Sequence, residues 1–285
     1  MTITAACAQF APMKGKIRQN LDSIAEIIRQ CSSEVIDLVL FPESSTTGYF
    51  LEGGTLELAM TCSDLQGELN RRIGPLKHPV DVVIGYFEVH EGNLYNSASC
   101  FSFGSEPSTL GTYRKFFLPS YGVFDEERFV GRGSELGVIE TRFGKVGILI
   151  CEDVWHSVLP MLCAVSGARI LLVPSASPGR GFSGDMIGNL ERYDRMLRAV
   201  CEEHGVFALN CQLCGFEGGK GFVGGSSIVS PMGEVLARSP VSDPHLLVSE
   251  VDLDMIEIAR SHTPLISDLQ SAWSDIQGLV AQIRA

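Results

Sequence analysis

Apolar positions along the chain recur with two different periods, which predict helices and strands in alternation. Steps of three and four residues mark one face of an amphipathic helix over residues 17–31 and of a longer helix over residues 186–204, which Gly205 ends. Short, mostly apolar runs between these segments are typical of strands; they are residues 2–10, 36–41, 80–89, 94–103, 136–143, 145–151 and 170–173. This order of elements predicts layered α/β packing, with helices covering sheets.

The end of the chain carries an apolar face of its own. It consists of Val251, Met255, Ile258, Leu265, Ile266, Leu269, Trp273, Ile276, Leu279 and Val280. Burying one Leu or Ile side chain yields ~1.5–3 kcal/mol, so this segment is expected to pack against something. A second subunit and the body of the same subunit are both open as its partner.

Two charged side chains stand directly after predicted strands. Glu43 follows a strand-ending proline, where loss of solvent makes a carboxylate a useful base, although a carboxylate in this position can also cap a helix or loop. Lys115 ends a strand and precedes an apolar turn, so it either requires an anionic partner or reaches solvent along the surface. Each residue alone is compatible with a structural role.

A cysteine occupies an equivalent place at the end of a third apolar run. Cys151 ends the run over residues 145–151 and precedes a predicted helix. Such a strand-to-helix turn exposes the sulfur and brings backbone N–H groups near it, which is expected to lower the thiol pKa and to supply an oxyanion site. A cysteine after a strand is also a common core residue, so both roles stay open.

Together the three side chains fit one reaction. A thiolate attacks an electron-poor carbon, a carboxylate takes its proton and later activates water, and an ammonium stabilises the tetrahedral oxyanion. No histidine is required; only His156 lies near Cys151 in the sequence, and a Cys–His pair is the weaker candidate. The reaction needs no metal and no cofactor.

Composition argues against several other classes of protein. The 285 residues include 34 acidic and 22 basic side chains, and the net charge of −12 argues against nucleic acid or an anionic membrane as a partner. No apolar run approaches the ~18 residues that span a membrane, and no export signal is expected from the first residues. Nine scattered cysteines indicate reduced thiols and a cytoplasmic location, and the pair Cys211 and Cys214 has no second ligand pair for zinc.

Three motifs, in this order, resemble those of the nitrilase, or carbon–nitrogen hydrolase, superfamily. They are Phe41-Pro42-Glu43, Tyr113-Arg114-Lys115 and Ile150-Cys151-Glu152-Asp153. The resemblance implies an α/β fold, a four-layer αββα sandwich, over residues 1–252, with residues 253–285 as a helical arm at an interface. It also implies Glu43 as the general base, Lys115 as the oxyanion stabiliser and Cys151 as the nucleophile that forms a thioester. The backbone N–H of Glu152 would complete the oxyanion hole.

Many members of this superfamily carry a second glutamate between the lysine and the cysteine. The candidates here are Glu126 and Glu127. In the family the acidic residue stands seven positions before a glycine, and Gly133 selects Glu126. Glu127, one residue away, is the alternative.

The regions around the lysine and the cysteine resemble the glutaminase domain of glutamine-dependent NAD synthetases. That resemblance implies an amide pocket lined by Tyr49, Tyr121, Phe124, Glu152 and Ser177. A phenylalanine pair, Phe116-Phe117, replaces the histidine often found in that turn. The chain is expected to leave no room for an ATP-binding synthetase domain, so the resemblance supports amide hydrolysis rather than NAD synthesis.

The predicted function is hydrolysis of a C–N bond in a small linear amide or N-carbamoyl compound through a cysteine thioester, with release of ammonia. Three alternatives stay open: a nitrilase acting on a small nitrile, a glutaminase-type subunit that feeds ammonia to a partner, and a non-catalytic scaffold. A scaffold would be expected to lack a residue of the triad, and none is missing. The resemblance further implies a homodimer or a larger homo-oligomer.

Overall fold

The computed structural model describes residues 1–51, 54–184 and 186–283. Its strands are β1 (Thr2–Gln9), β2 (Leu38–Leu40), β3 (Val80–His90), β4 (Asn93–Phe103), β5 (Ser108–Arg114), β6 (Val138–Thr141), β7 (Gly144–Ile148), β8 (Ile170–Ser175), β9 (Phe182–Ser183), β10 (Met186–Ile187), β11 (Phe207–Gln212), β12 (Cys214–Glu217), β13 (Lys220–Val223), β14 (Ser227–Val229), β15 (Val235–Arg238) and β16 (His245–Asp252). Its α-helices are α1 (Ile17–Ser33), α2 (Thr55–Leu58), α3 (Cys62–Ile73), α4 (Val158–Val165), α5 (Gly188–His204), α6 (Met255–His262), α7 (Leu265–Ser271) and α8 (Trp273–Gln282). Two short 3₁₀ helices are Glu126–Arg128 and Cys151–Trp155.

Most of the strands form two six-stranded sheets. The first has the order β16-β1-β2-β3-β4-β5, and the second has the order β15-β14-β11-β8-β7-β6. In the first sheet β1, β2 and β3 are parallel, and in the second β7, β8 and β11 are parallel. Parallel strands end at the same edge of a sheet, so the loops that follow β2 and β7 each lie at such an edge.

The two sheets face each other across the central apolar core. Their facing side chains include Cys7, Leu40 and Tyr113 from the first sheet, and Ile148 and Leu209 from the second. The outer face of the first sheet packs against α1 and α3, and that of the second packs against α4, α5 and α7. The layers are therefore helix, sheet, sheet and helix, and the predicted four-layer αββα sandwich is confirmed.

The longer predicted helix begins two residues later than its periodicity suggests. Met186 lies in β10, and α5 starts at Gly188, because the chain first forms the short β9–β10 hairpin. Gly205 ends the helix in a left-handed conformation with φ of 58°, as predicted.

Apolar side chains of the C-terminal arm, residues 253–285, have two different environments. Ile256 and Ile266 are buried against the body of the same chain. In α8 no residue is buried, and Leu279 and Val280 are 62% and 60% exposed. The proximal part of the arm therefore covers its own subunit, while the last helix presents apolar side chains to the outside. Within the described residues, no helix has the length and apolar character needed to cross a membrane.

Candidate active site

The turns after three strands place the predicted catalytic side chains together. Glu43 lies three residues after β2, and Lys115 directly follows β5 of the same sheet. Cys151 lies three residues after β7 of the second sheet, at the start of a 3₁₀ helix. Gly85 in β3 allows the turn at Glu43 to pack closely, because a Cβ at this position would lie 2.6 Å from the Cα of Glu43.

The ammonium of Lys115 lies between two carboxylates. Its Nζ is 2.7 Å from Oε1 of Glu43 and 2.7 Å from Oε1 of Glu126. All three side chains are buried, the most exposed being Glu126 at 7%. Glu127 is exposed at the surface. The structure therefore places Glu126, and not Glu127, beside the lysine.

The buried lysine and the two carboxylates shift one another's pKa values. Burial alone lowers the pKa of Lys115, but the carboxylates of Glu126 and Glu43 raise it well above its usual value. Burial raises the pKa of Glu126, and Lys115 opposes that rise. Tyr49 donates a hydrogen bond to Glu126, and burial together with that carboxylate raises the pKa of Tyr49 well above its usual value. The site therefore keeps a charged ammonium, which is the group an oxyanion requires.

Asn96 and a backbone amide hold the carboxylate of Glu43 in place, and neither contact is predicted from the sequence. Asn96 Nδ2 donates to Glu43 Oε1 at 2.7 Å and to Glu126 Oε2 at 3.4 Å. The N–H of Ala176, which follows β8, donates to Glu43 Oε2 at 2.8 Å. The sequence does contain a sign of the role of Asn96: it is a polar residue inside the apolar run over residues 94–103, and a polar side chain buried in a strand requires hydrogen-bond partners.

Cys151 occupies a strained turn. Its φ is +51°, a left-handed conformation that residues other than glycine rarely adopt. Its Sγ lies 3.1 Å from the hydroxyl of Tyr193, another residue whose contact with the site was not predicted. The signal for Tyr193 was a hydroxyl on the apolar face of the predicted helix over residues 186–204, since a buried tyrosine usually bonds through its hydroxyl.

The expectation that this turn lowers the pKa of the cysteine is wrong in direction. Burial raises the pKa of Cys151, and the carboxylate of Glu43 raises it further. Lys115, the hydroxyl of Tyr193 and the backbone N–H of Ala176 lower it, but by less. Loss of solvent around the sulfur outweighs the nearby donors, so burial favours the neutral thiol of Cys151.

Asp153 holds the turns of Lys115 and Cys151 together. One of its carboxylate oxygens accepts a hydrogen bond from the N–H of Phe117 at 2.8 Å. The other accepts from the N–H of Ile150 at 3.0 Å and from the hydroxyl of Tyr113 at 2.8 Å. Burial raises the pKa of Asp153 to about 7. One carboxylate therefore joins the segments that position the ammonium and the thiol.

A cavity of about 180 Å³ lies beside Glu126. The predicted pocket residues Tyr49 and Phe124 line it, and their rings meet edge to face with centroids 6.0 Å apart. Glu217 accepts hydrogen bonds from the N–H groups of Tyr49 and Phe50 at 2.8 and 2.9 Å. The aromatic wall of the cavity is therefore fixed through its backbone.

The other predicted pocket residues, Tyr121, Glu152 and Ser177, do not line this cavity. Tyr121 donates a hydrogen bond to Glu152 Oε2 at 2.6 Å, and its ring packs against Phe124 with centroids 5.8 Å apart. Ser177 is buried, and its hydroxyl accepts a hydrogen bond from Asn189 at 2.8 Å. The structure thus connects Tyr121 and Glu152 to the cavity wall, whereas Ser177 contacts α5.

Comparisons relate the chain to known proteins. The family model described as carbon-nitrogen hydrolase matches residues 4–261. A glutamine-dependent NAD(+) synthetase from Acinetobacter baylyi is 31% identical over 252 residues, which cover 87% of this chain and 44% of that protein. An (R)-stereoselective amidase from a Pseudomonas species is 29% identical over 265 residues, which cover 91% of this chain and 89% of that protein.

The solved structures show the same fold. A carbon-nitrogen hydrolase from Helicobacter pylori aligns with a TM-score of 0.82 at 24% identity, over 94% of this chain and 95% of that one. The chain spans less than half the length of the NAD synthetases that it matches, 44% and 42% in two of them. The resemblance stated from the motifs, including that to the NAD synthetase glutaminase domain, is confirmed.

Proposed function

The chain belongs to the carbon-nitrogen hydrolase family, and we propose that it hydrolyses a C–N bond of a small linear amide or N-carbamoyl compound through a cysteine thioester, releasing ammonia. One observation carries the proposal. The buried ammonium of Lys115 contacts the carboxylates of Glu43 and Glu126 at 2.7 Å, and both Lys115 and Glu43 act electrostatically on the thiol of Cys151. A base, an oxyanion stabiliser and a nucleophile thus share one buried site.

Acylation starts with the proton of the thiol. Glu43 accepts it from Cys151, the sulfur forms a bond to the amide carbon, and the electrons of the C=O bond move onto oxygen. Lys115 and the N–H of Glu152 stabilise that oxyanion. The C–N bond then breaks, the nitrogen takes the proton from Glu43, and ammonia leaves the thioester behind.

Hydrolysis of the thioester reuses the same groups. Glu43 accepts a proton from water, and the resulting hydroxide attacks the thioester carbon. The C–S bond breaks as the tetrahedral intermediate collapses, and the sulfur regains a proton from Glu43. Glu126 acts through Lys115, which it holds in position and keeps charged.

The cavity and the relatives favour a small amide as the substrate. The cavity of about 180 Å³ is lined by Glu126 but not by Cys151, and its aromatic walls suit the apolar part of a short substrate. A relative named as an amidase, which aligns over 89% of its own length, supports an amide substrate. The similarity to NAD synthetases supports the second candidate, a glutaminase-type subunit that feeds ammonia to a partner.

We also propose a homodimer or larger homo-oligomer in the cytoplasm. The exposed apolar side chains of α8 support an interface between subunits, because their burial would be favourable. All nine cysteines are free thiols, which supports a reducing compartment.

Ammonia release from matched short amides, N-carbamoyl compounds and nitriles tests the proposed activity. We expect turnover of an amide or carbamoyl compound, and none in Cys151→Ala, whose fold circular dichroism checks. Cys62→Ala is the matched control, since Cys62 is the other partly exposed cysteine, and this variant should keep its activity.

Three results would redirect the assignment. Turnover of nitriles alone would indicate a nitrilase. Ammonia release only with a co-purifying synthetase would indicate a subunit. No turnover, together with a Cys151 that is inert to iodoacetamide, would indicate a scaffold.

A further inference from the structure

Tyr193 reaches the nucleophile from a different layer of the fold. It lies on α5, is 2% exposed, and places its hydroxyl 3.1 Å from the Sγ of Cys151. Its ring packs edge to face against Trp155, with centroids 5.2 Å apart and an interplanar angle of 69°. The phenol is therefore held in place by packing, independently of its contact with sulfur.

Three groups favour the ionised form of the Cys151 thiol: Lys115, the hydroxyl of Tyr193 and the backbone N–H of Ala176. The titratable groups that act on it are Glu43, Lys115, Tyr49 and Tyr193. Burial and Glu43 oppose ionisation, and the ammonium of Lys115 already contacts two carboxylates at 2.7 Å. A neutral donor aimed at the sulfur adds stabilisation without adding a further charge to the site.

We propose that Tyr193 is a catalytic residue whose hydroxyl donates a hydrogen bond to the Cys151 sulfur and stabilises the thiolate. This inference rests on the proposed function and adds to it a residue outside the three motifs. The hydrogen bond acts twice: when Glu43 removes the thiol proton before attack, and when the C–S bond of the thioester breaks and sulfur leaves with the electron pair.

Tyr193 keeps its own proton throughout. Burial, together with the neighbouring Cys151, raises the pKa of Tyr193 well above its usual value. The proton lost by sulfur therefore goes to Glu43 and later to the leaving nitrogen, and the phenol O–H bond stays intact. Tyr193 differs in this respect from a general acid, which would have to be reprotonated in every cycle.

Alkylation of Cys151 by iodoacetamide as a function of pH tests the inference without any substrate. Tyr193→Phe removes only the hydroxyl and keeps the ring against Trp155. A hydrogen bond to a charged group is worth about a tenfold to hundredfold change in equilibrium. We therefore expect the profile of alkylation rate to move upward by about one to two pH units. Cys151→Ala gives the background from the other cysteines.

Tyr86→Phe is the matched control. Tyr86 is also fully buried, and its hydroxyl contacts Ser99 at 2.9 Å rather than a catalytic group. This variant should show the wild-type alkylation profile. In turnover assays, Tyr193→Phe should lower kcat by about tenfold or more with little change in KM, because the negative charge on sulfur that the hydroxyl stabilises develops in the chemical steps rather than on substrate binding.

A folded Tyr193→Phe protein with unchanged alkylation and unchanged kcat would overturn the inference. If this variant does not fold, 3-fluorotyrosine at position 193 retains the ring and hydroxyl while making the phenol a stronger donor. That protein should shift the alkylation profile to lower pH, and an unmoved profile would overturn the inference equally. Since alkylation needs no amide, a shifted profile without turnover would count against the proposed function alone.

Discussion

Replacing Lys115 with methionine should separate the stability of the active site from its chemistry. Methionine keeps an unbranched apolar stem but removes the ammonium, which leaves Glu43 and Glu126 as two buried carboxylates without their cation. Two unit charges 2.7 Å apart attract by about 6 kcal/mol at an effective dielectric constant of about 20, before the cost of burying them is subtracted. Removing one partner of a buried ion pair costs about 3–5 kcal/mol in measured cases, and we expect a loss of unfolding free energy in that range at pH 8.

The sign of the pH dependence follows from the same charges. Burial already raises the pKa of Glu126, and without Lys115 that rise is opposed by the hydrogen bond from Tyr49 and no longer by a cation. An acid with a raised pKa in the folded state stabilises the fold at low pH, and this contribution is lost as pH rises through the folded value. The difference between wild type and Lys115→Met should therefore be smaller at pH 5 than at pH 8.

Glu126→Gln is the control that makes the measurement decisive. Two carboxylates and one ammonium carry a net charge of −1, and this variant brings it to 0 while leaving Lys115 paired with Glu43. Its unfolding free energy in urea should fall by less than about 1 kcal/mol, because the desolvation of one carboxylate is relieved. In both variants kcat should fall, by about 10²–10³ for Lys115→Met if the lysine stabilises the oxyanion. Equal stability losses in the two variants would refute the idea that Lys115 compensates two buried charges.

Three further results are expected. Glu43→Gln and Lys115→Met should each abolish most ammonia release. The double variant should lose little more activity than either single variant, because the base and the oxyanion stabiliser serve the same step, and additive losses would contradict this. The stability advantage of wild type over Asp153→Asn in urea should be larger at pH 5 than at pH 8, because the pKa of Asp153 is raised to about 7. Deleting residues 262–285 should reduce the mass measured by light scattering to that of a monomer, and an unchanged oligomer would show that the arm does not hold subunits together.

Most of the fold and the central residues of the candidate site can be predicted from local patterns in the sequence. Apolar residues recur with a period of two in strands that are buried on one face and with a period near four in helices, and glycine and proline mark where these segments end. Each segment therefore shows by itself whether it belongs to a sheet layer or to a helix layer. Glu43, Lys115 and Cys151 could be selected because each follows a strand at a sheet edge. Only the family's spacing selects Glu126 over Glu127, because the two are adjacent in the sequence; in the structure Glu126 is the one that lies against Lys115.

Contacts between residues that are far apart in the sequence cannot be predicted from local patterns. Asn96 and Glu43 are 53 residues apart, and Tyr193 and Cys151 are 42 apart, so only the sheet order and the packing of α5 bring them together. The apolar period places Met186 in a helix, because the short β9–β10 hairpin that contains it does not interrupt that period. The C-terminal arm has the same ambiguity: the pattern marks apolar positions, but it does not distinguish Ile266, buried on its own subunit, from the exposed Leu279.

The raised pKa of Cys151 is the clearest case in which the local pattern pointed the wrong way, and its reason bears on the mechanism. N–H groups near a sulfur stabilise a thiolate in an open turn, but here burial and Glu43 dominate, so sulfur and Glu43 cannot both be charged at low cost. In the proposed mechanism, one proton therefore stays within the site and moves from sulfur to Glu43 as the C–S bond forms. An amine is a poor leaving group unless it is protonated, and this retained proton is available to it at the moment the C–N bond breaks. A thiolate whose proton had gone to solvent would leave the site without that proton, whereas a neutral thiol beside Glu43 keeps it for the leaving nitrogen.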